Sequence, residues 1–398
     1  MNRSLLIDIL NSEEAQKFIE KNKTLNSSEI LLKKSASNLP LKEIAEQIDC
    51  LQKAEIKLPE LNTYKLIYKK IPLEQSSSEQ TARYKSKILK GNKIIDLTGG
   101  LGIDSIYFSK SFEEVVYCEL NEELAAIAAH NFKTLKINNI TVNNGDGIEI
   151  LKKYKDEYFD WVFADPSRRD KDKRSVDIKY YSPDVVSNLD LFIQKSQNIC
   201  LKLAPAFDLK EAERIFPKMN EFSVVSVKNE CKEVLVYFNK KNERKIKSAV
   251  ILNDNNEPVI INNSINEKNN IKISLPEKDI YFYEPDAAIR KAGLTKHIAD
   301  KYKLKFINRL SNYLISEKEI EDFPGRKFKI LFTCQFNLKK VRQYLSREKI
   351  IKANITRSNF PDKPEIIKEK LKLKDGGDYY LFFTKDKNGK LIFINTSK

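Results

Sequence analysis

Residues 94–104 read Ile94-Ile95-Asp96-Leu97-Thr98-Gly99-Gly100-Leu101-Gly102-Ile103-Asp104. An apolar β-type run ends at an acidic residue, passes through a glycine-rich turn and enters a helical pattern. A strand, a tight turn and a helix N-terminus in this order form the general nucleotide-binding unit of α/β proteins. Gly100 and Gly102 permit a positive φ and let the backbone approach a ligand closely. Such a turn is a weak indication by itself, and the segments that follow it carry more weight.

Three further strand-like segments follow the turn, and polar residues succeed each of them. The second strand ends at Glu119, 17 residues after Gly102, close to the spacing of about 20 residues at which an acid meets a ribose hydroxyl. The third strand precedes Asp146, and the fourth ends in Asp165-Pro166. Because open α/β sheets bind ligands at the carboxyl ends of their strands, we expect these polar groups to lie together. The four predicted strands cover residues 94–96, 114–118, 140–142 and 159–164.

With these four segments the sequence resembles the class I S-adenosyl-L-methionine (SAM)-dependent methyltransferases. It further resembles the bacterial family that joins this fold to a THUMP-like C-terminal domain. In the class I methyltransferases the glycine turn holds the methionine part of SAM, while acids after the second and third strands meet the ribose and the adenine amine. The resemblance therefore implies SAM as the cofactor. By position, it assigns the cofactor contacts to Asp96, Thr98, Gly100, Gly102, Asp104, Glu119, Leu120, Asp146 and Gly147.

A nicotinamide-dependent dehydrogenase is the alternative interpretation of the glycine turn. However, the turn lacks the full G-x-G-x-x-G pattern of that class, and a D-P loop after the fourth strand is not a nicotinamide feature. Both observations favour the methyltransferase.

In the family the D-P loop faces the acceptor, which implies Asp165 and Pro166 as the catalytic positions. An exocyclic base amine is a poor nucleophile because its lone pair is delocalised into the ring. Asp165 could accept an N–H of such an amine and favour the attacking geometry. Amine methylases of this fold commonly carry D/N-P-P-aromatic here, whereas this chain has Ser167 in place of the second proline and Arg168 in place of the aromatic residue.

Other side chains near this loop could hold the substrate. The Arg168 guanidinium could stack on a base or clamp a phosphate, and Tyr180 or Tyr181 could supply an aromatic ring. Alternatively, Arg168 and Arg169 only form ion pairs with the acids at 170–172. The predicted substrate-binding residues are Ser167, Arg168, Arg169, Tyr180 and Lys202.

Residues 76–85 form a polar entry into the helix that precedes the first strand. The serines of this segment could simply cap that helix. Alternatively, Gln80, Thr81 and Arg83 could close over the cofactor or contact the acceptor, by analogy with other enzymes of the fold.

Composition restricts the class of protein further. The length of 398 residues indicates two or three domains. A mean hydropathy of −0.50, with no apolar run near 18 residues, excludes a membrane-spanning helix. The N-terminus lacks the pattern of a secretory signal. The five cysteines are scattered without a C-x-x-C pair, which favours reduced thiols in a cytoplasmic protein and no metal site. Among them, Cys200 is expected in the core and not as a nucleophile.

The net charge of +15 indicates a polyanionic partner. A competing explanation is the abundance of Lys, Asn and Ile, which is typical of proteins from AT-rich genomes.

We predict an α/β protein in four parts. Residues 1–75 form a helical subdomain, and residues 76–240 form the methyltransferase domain with a seven-stranded, Rossmann-like sheet whose last strand is antiparallel. Residues 241–326 form an α+β, ferredoxin-like linker domain that includes one helix over 287–302, and residues 323–326 are a hinge. Residues 327–398 resemble the THUMP-like domain, which implies contact with RNA.

The leading hypothesis is a SAM-dependent methyltransferase that modifies a base amine, with guanine N2 of rRNA or tRNA as the favoured acceptor. The alternatives are a methyltransferase acting on a protein or small molecule, and an RNA-binding module whose methyltransferase core is inactive.

Overall fold

The computed structural model describes residues 3–33, 39–168, 181–241, 244–253, 257–264 and 271–398. The chain forms two compact units. The first unit comprises Met1–Glu221 and Val234–Glu243, and the second comprises Phe222–Glu233 and Arg244–Lys398. No helix within the described ranges has the length and apolar composition needed to cross a bilayer.

The first unit begins with helices. Side-chain oxygens of Ser12 and Asn26 accept backbone amides at the starts of the second and third helices. The fourth helix buries Ile44, Ala45 and Ile48, which recur at helical spacing and pack into the core. The bounds are α1 Arg3–Asn11, α2 Glu13–Asn22, α3 Ser27–Leu31, α4 Leu41–Lys57, a 3-10 turn Leu61–Thr63, α5 Lys70–Gln75 and α6 Glu79–Ile88.

An alternation of strands and helices follows and builds the central sheet. The elements are β1 Lys93–Asp96, α7 Ile103–Phe108, β2 Glu114–Glu119, α8 Glu122–Thr134, β3 Ile140–Asn144, α9 Gly147–Lys152, β4 Phe159–Ala164, β5 Ser167–Arg168, β6 Tyr181–Ser182, α10 Leu189–Lys195, β7 Ser196–Leu203, α11 Leu209–Ile215, β8 Glu221–Val227 and β9 Glu230–Asn239.

The order of the strands confirms the predicted methyltransferase sheet. In the first unit it is β9-β7-β4-β1-β2-β3. Neighbours among β7, β4, β1, β2 and β3 are parallel, whereas β9 is antiparallel to β7. The beginning of β9 belongs to the second unit, where β8 is its neighbour and where β10 Ile246–Leu252 and β11 Val259–Ser264 follow. The predicted seven strands are therefore present, with two more beyond β8.

The second unit continues with a separate seven-stranded sheet in the order β13-β14-β12-β15-β18-β17-β16. Two helices near the C-terminus pack their apolar faces, including Val341, Leu345 and Ile367, onto this sheet. The bounds are β12 Tyr281–Pro285, α12 Ala287–Lys291, α13 Thr295–Lys301, β13 Lys305–Phe306, β14 Leu314–Ser316, β15 Gly325–Gln335, α14 Leu338–Arg347, β16 Asn354–Arg357, α15 Pro364–Leu371, β17 Tyr379–Lys385 and β18 Leu391–Ser397.

Two sequence predictions for this unit are wrong. The single helix over 287–302 is two helices, because Gly293 adopts a φ of +68° between them. The predicted hinge at 323–326 includes the first residues of β15, which pair with β12, and Arg326 donates to the buried Glu284 at 2.7 Å. Gly325 and Arg326 are therefore part of the sheet and not of a hinge.

Candidate active site

The buried carboxyl group of Asp96 stabilises the glycine turn. Asp96 Oδ1 accepts the Thr98 amide at 3.0 Å, and Oδ2 accepts the Ser105 hydroxyl at 2.8 Å. Burial, together with the neighbouring carboxylates of Asp104 and Asp165, raises the pKa of Asp96 to about 7, although these two hydrogen bonds act in the opposite direction. The end of β1 is thereby joined to the start of α7.

Two glycines of the turn have different physical roles. Gly102 has a φ of +77°, and a Cβ there would lie 2.5 Å from the ring of Phe132, so close packing excludes any side chain. Gly100 has a φ of +55°, but a Cβ there would meet nothing nearer than the Thr98 carbonyl oxygen at 4.0 Å. The turn is therefore packed at Gly102 and open at Gly100, where a ligand has room.

The last residue of β2, Glu119, contacts the same turn. Glu119 Oε2 accepts the Gly100 amide at 2.8 Å, and Oε1 accepts the Asn121 amide at 2.7 Å. Each carboxylate oxygen can accept a further hydrogen bond, so Glu119 retains the capacity to bind hydroxyl groups. The adjacent Leu120 exposes 69% of its surface and offers an apolar face beside this carboxylate.

The segment after β3 lies next to Glu119. The Gly145 amide donates to the Glu119 carbonyl oxygen at 3.0 Å. Asp146 is exposed and caps α9, where its Oδ1 accepts the amides of Ile148 and Glu149. Gly147 packs so closely on β1 that a Cβ there would lie 2.5 Å from the Leu97 carbonyl oxygen.

The D-P loop after β4 is attached to the turn and to β7. The Asp165 amide donates to Thr98 Oγ1 at 2.6 Å, and the ammonium group of Lys202 contacts Asp165 Oδ2. Lys202 is 7% exposed and its Nζ also lies 3.9 Å from Asp104 Oδ2. Pro166 is buried, whereas Ser167 is exposed. Lys202, predicted to bind substrate, is thus placed against the predicted catalytic carboxylate.

Asp104 is surrounded by cations although it is buried. Ser77 Oγ donates to Asp104 Oδ2 at 2.7 Å, and the fully buried Lys85 places its Nζ 3.2 Å from Oδ1. Burial by itself would raise the pKa of Asp104, but Lys85 and then Lys202 outweigh it and hold the pKa below its usual value.

The segment before β1 has a role that the sequence did not reveal. Ser78 accepts the Thr81 amide at the start of α6, which confirms the capping interpretation. Arg83 donates to Glu60 and Glu79. Ser77 and Lys85 of this segment reach Asp104, while the contact of Gln80, Thr81 and Arg83 with cofactor or acceptor stays a prediction. A polar segment before a strand is the only signal in the sequence, and it does not distinguish these positions.

The residues after the D-P loop were predicted to bind the substrate. The short strands β5 and β6 pair, with Ser167 opposite Ser182 and Arg168 opposite Tyr181. Tyr181 is buried, so its ring is not exposed for stacking. The side chain of Arg168 and the whole of residues 169–180, which include Arg169 and Tyr180, lie outside the described residues. Cys200 is buried in β7, as predicted.

Three family descriptions match consecutive parts of the chain. The RNA cap guanine-N2 methyltransferase family matches residues 91–241, a ferredoxin-like domain matches residues 281–324, and a THUMP domain-like family matches residues 325–398.

Two relatives match most or all of the chain. A putative methyltransferase from Porphyromonas gingivalis, seen in a crystal structure, is 27% identical and superimposes with a TM-score of 0.84, covering 100% of this chain and 99% of its own. An uncharacterised S-adenosylmethionine-dependent methyltransferase of Mycobacterium tuberculosis is 21% identical over 322 residues, which cover 81% of this chain and 85% of the relative.

The chain is a class I SAM-dependent methyltransferase. It belongs with the methyltransferases that carry a THUMP-like C-terminal domain, as the sequence resemblance implied. The residues of this methyltransferase fit its cofactor. SAM carries a sulfonium and an ammonium group, and two acidic residues are attached to the turn: Glu119 accepts the Gly100 amide, and Asp165 donates its own amide to Thr98. Among the residues that the structure describes, no three His, Cys, Asp or Glu side chains are grouped so that they could hold a metal ion.

Proposed function

We propose that this methyltransferase modifies a base amine of rRNA or tRNA, with guanine N2 as the favoured acceptor and Asp165 as the residue that orients the amine. The observation that carries the proposal is the position of Asp165. It follows β4 in the part of the chain that matches RNA cap guanine-N2 methyltransferases, and its backbone and side chain are both held in place.

The cofactor would lie over the open side of the glycine turn. Gly100 leaves room for the methionine part, Glu119 would accept the ribose hydroxyls, and the exposed Leu120 would cover one face of the adenine. Asp146 would accept the adenine amine through the oxygen that does not cap α9. When bound, SAM supplies an activated methyl group on a sulfonium.

The contribution of Asp165 is orientation and electrostatic stabilisation. Lys202 occupies Oδ2, and within the described ranges Oδ1 accepts no hydrogen bond. That oxygen can therefore accept an N–H of the acceptor amine, which aligns the nitrogen and stabilises the positive charge that develops on it. The buried Pro166 restricts the backbone on the other side of Asp165.

The charge distribution supports an RNA acceptor. Residues 325–398 contain nineteen Lys and Arg but only seven Asp and Glu, so this part of the chain carries +12 of the total net charge of +15. A composition bias from an AT-rich genome would act on the whole chain, whereas this charge is concentrated in the THUMP-like part. Concentrated positive charge favours a polyanionic substrate.

The test is transfer of tritiated methyl groups from SAM into total RNA, taken from cells that lack the protein and from cells that contain it. We expect label in the first RNA and not in the second, because the site in the second is already modified. Asp165→Ala should lower the rate by at least about 100-fold, while calorimetry shows unchanged SAM binding. Asp190→Ala removes an exposed aspartate of the same unit and serves as the control.

Full activity of Asp165→Ala would refute the role of Asp165. If wild-type enzyme labelled protein or small molecules of the extract and left RNA unlabelled, the acceptor would belong to the alternative class. SAM binding without transfer to any fraction would indicate an RNA-binding module with an inactive core.

A further inference from the structure

Lys202 is a buried lysine in the apolar second half of β7. It lies between Leu201 and Leu203 in β7 and pairs in register with Leu235 of β9, and all three leucines are buried. Its ammonium group reaches the end of the sheet, where it contacts Asp165 and approaches Asp104. Lys202 is therefore located where the D-P loop and the start of α7 meet.

Stability alone is a weak reason for this arrangement. Removing two charges from water has a cost that their attraction often only balances, and apolar replacements of buried ion pairs are frequently neutral or stabilising. Asp104 already has Lys85 and Ser77 as partners, so it does not depend on Lys202 for neutralisation. Among the residues that the structure describes, Lys202 is the only cation that forms an ion pair with Asp165.

The contact with Lys202 restricts the side chain of Asp165. Thr98 holds the backbone of Asp165 through its amide, but that bond leaves the two side-chain torsions free. A contact to one carboxylate oxygen fixes both torsions and directs the second oxygen. Misplacement of a reacting group by about 1 Å can cost 100-fold in rate.

We propose that Lys202 is a positioning residue for methyl transfer, which holds Asp165 through Oδ2 and so presents Oδ1 to the acceptor amine. This inference rests on the proposed role of Asp165. Lys202 touches neither the cofactor nor the acceptor in this scheme and acts through Asp165, with Asp104 keeping the ammonium group in place.

The experiment is a double-mutant cycle with Lys202→Met, Asp165→Asn and the combined variant. Transfer of tritiated methyl groups into RNA from cells that lack the protein gives kcat, and calorimetry gives the Kd of SAM. We expect Lys202→Met to lower kcat by about 10- to 100-fold and to leave the Kd of SAM within about twofold of the wild-type value. The combined variant should be no slower than Asp165→Asn, because residues that act through one another are not additive.

Two further variants separate positioning from a general loss of structure. Lys202→Arg keeps the charge and should recover part of the lost kcat. Lys195→Met removes a similarly buried lysine, paired with Asp156 just before the other end of β7, and should lower the melting temperature without lowering kcat. If Lys202→Met does not fold, Lys202→Gln takes its place in the cycle.

The possible failures are distinguishable. If the two single effects multiply in the combined variant, or if Lys202→Met keeps wild-type kcat while Asp165→Asn is impaired, the positioning role is wrong and the role of Asp165 stands. If Asp165→Asn is fully active, the proposed function of Asp165 fails first, and the inference fails with it. A weaker affinity for SAM as the only effect of Lys202→Met would assign Lys202 to cofactor binding and overturn the inference.

Discussion

At the scale of single residues, the site combines carboxyl groups with opposite environments. Asp96 is buried with neutral hydrogen-bond donors, whereas Asp104 is buried with two lysines within 4 Å. Burial therefore raises the pKa of Asp96 to about 7, while cations lower the pKa of Asp104. Of these two carboxyl groups, Asp96 is therefore the one that changes its protonation close to neutral pH.

The raised pKa of Asp96 makes stability depend on pH. In the unfolded chain an aspartate loses its proton near pH 4, whereas in the folded protein Asp96 keeps it to about pH 7. Between these values the folded state binds more protons, so the contribution of Asp96 to the free energy of unfolding is present below pH 4 and is lost as the pH rises towards 7. We expect wild-type protein to lose stability relative to Asp96→Asn over this range.

The measurement is urea unfolding of both proteins at pH 4.5, 6 and 7.5, followed by the fluorescence of the only tryptophan, Trp161, which lies in β4 of the first unit. The asparagine variant controls for all other titrating groups because these are common to both proteins. A difference in unfolding free energy that does not change with pH would contradict the prediction.

At the scale of elements, the junction between β1 and α7 depends on packing as much as on turn conformation. Tyr117 and Phe132 meet edge to face at 5.4 Å beneath the turn, and the Tyr117 hydroxyl donates to the Gly100 carbonyl oxygen at 2.5 Å. Gly102 rests against Phe132, whereas Gly100 faces open space. The two glycines therefore respond differently to the same substitution.

Gly102→Ala should destabilise the first unit by about 2 to 4 kcal/mol, because it combines a positive φ with a clash against Phe132. Gly100→Ala should cost only about 1 to 2 kcal/mol, since the positive φ acts there without a clash. In contrast, Gly100→Ala should weaken SAM binding, because its methyl group enters the space proposed for the ligand. Urea unfolding and calorimetry measure the two effects, and equal destabilisation by both substitutions would refute the packing argument.

At the scale of the whole molecule, positive charge is concentrated in residues 325–398. Part of this positive charge lies just after α14 and α15, where the two following segments are joined by backbone hydrogen bonds. Lys352 and Lys374 form a parallel bridge, and the Lys374 amide donates to the carbonyl oxygen of the exposed Ile351. Like charges placed opposite each other are destabilising. A polyanionic partner would offset that repulsion.

We expect the lysines of this region to contribute to RNA affinity through phosphate groups. Four exposed lysines of this region form no ion pair within the part of the chain that the structure describes. They are Lys349, Lys352, Lys372 and Lys374. Replacing all four with Gln should weaken binding of total tRNA and reduce the slope of log affinity against log salt by about 0.7 to 0.9 for each lost contact.

The control for this experiment changes the charge equally in the first unit. Exposed lysines suited to it are Lys42, Lys65, Lys136 and Lys153. Filter binding between 50 and 200 mM salt measures both variants, on the scale over which such contacts respond. An equal loss of affinity in both variants would mean that RNA affinity depends on the net charge of the protein and not on the lysines of this region.

Local patterns in the sequence were sufficient for the framework of the molecule. The order of strands and helices, the glycine turn, and polar residues after β2, β3 and β4 all arise from short-range periodicity and turn chemistry, which residues a few positions apart encode. Two details were predicted wrongly: Gly293 adopts a positive φ and ends a helix, and Gly325 and Arg326 pair with β12, which lies about 40 residues earlier in the chain.

Only the tertiary structure decided how the site is connected. Ser77 and Lys85 lie before β1, Asp104 and Asp165 lie after β1 and β4, and Lys202 is the penultimate residue of β7. These five side chains nevertheless form one set of contacts. No pattern along the chain relates these positions, because they meet only once the parallel strands have aligned their carboxyl ends and α6 has packed beside α7. The sequence by itself determined which chemical groups stand at the strand ends. Packing decided which of them are neutralised by a partner and which remain available to a ligand, because the cost of burying a charge depends on neighbours that are distant in sequence.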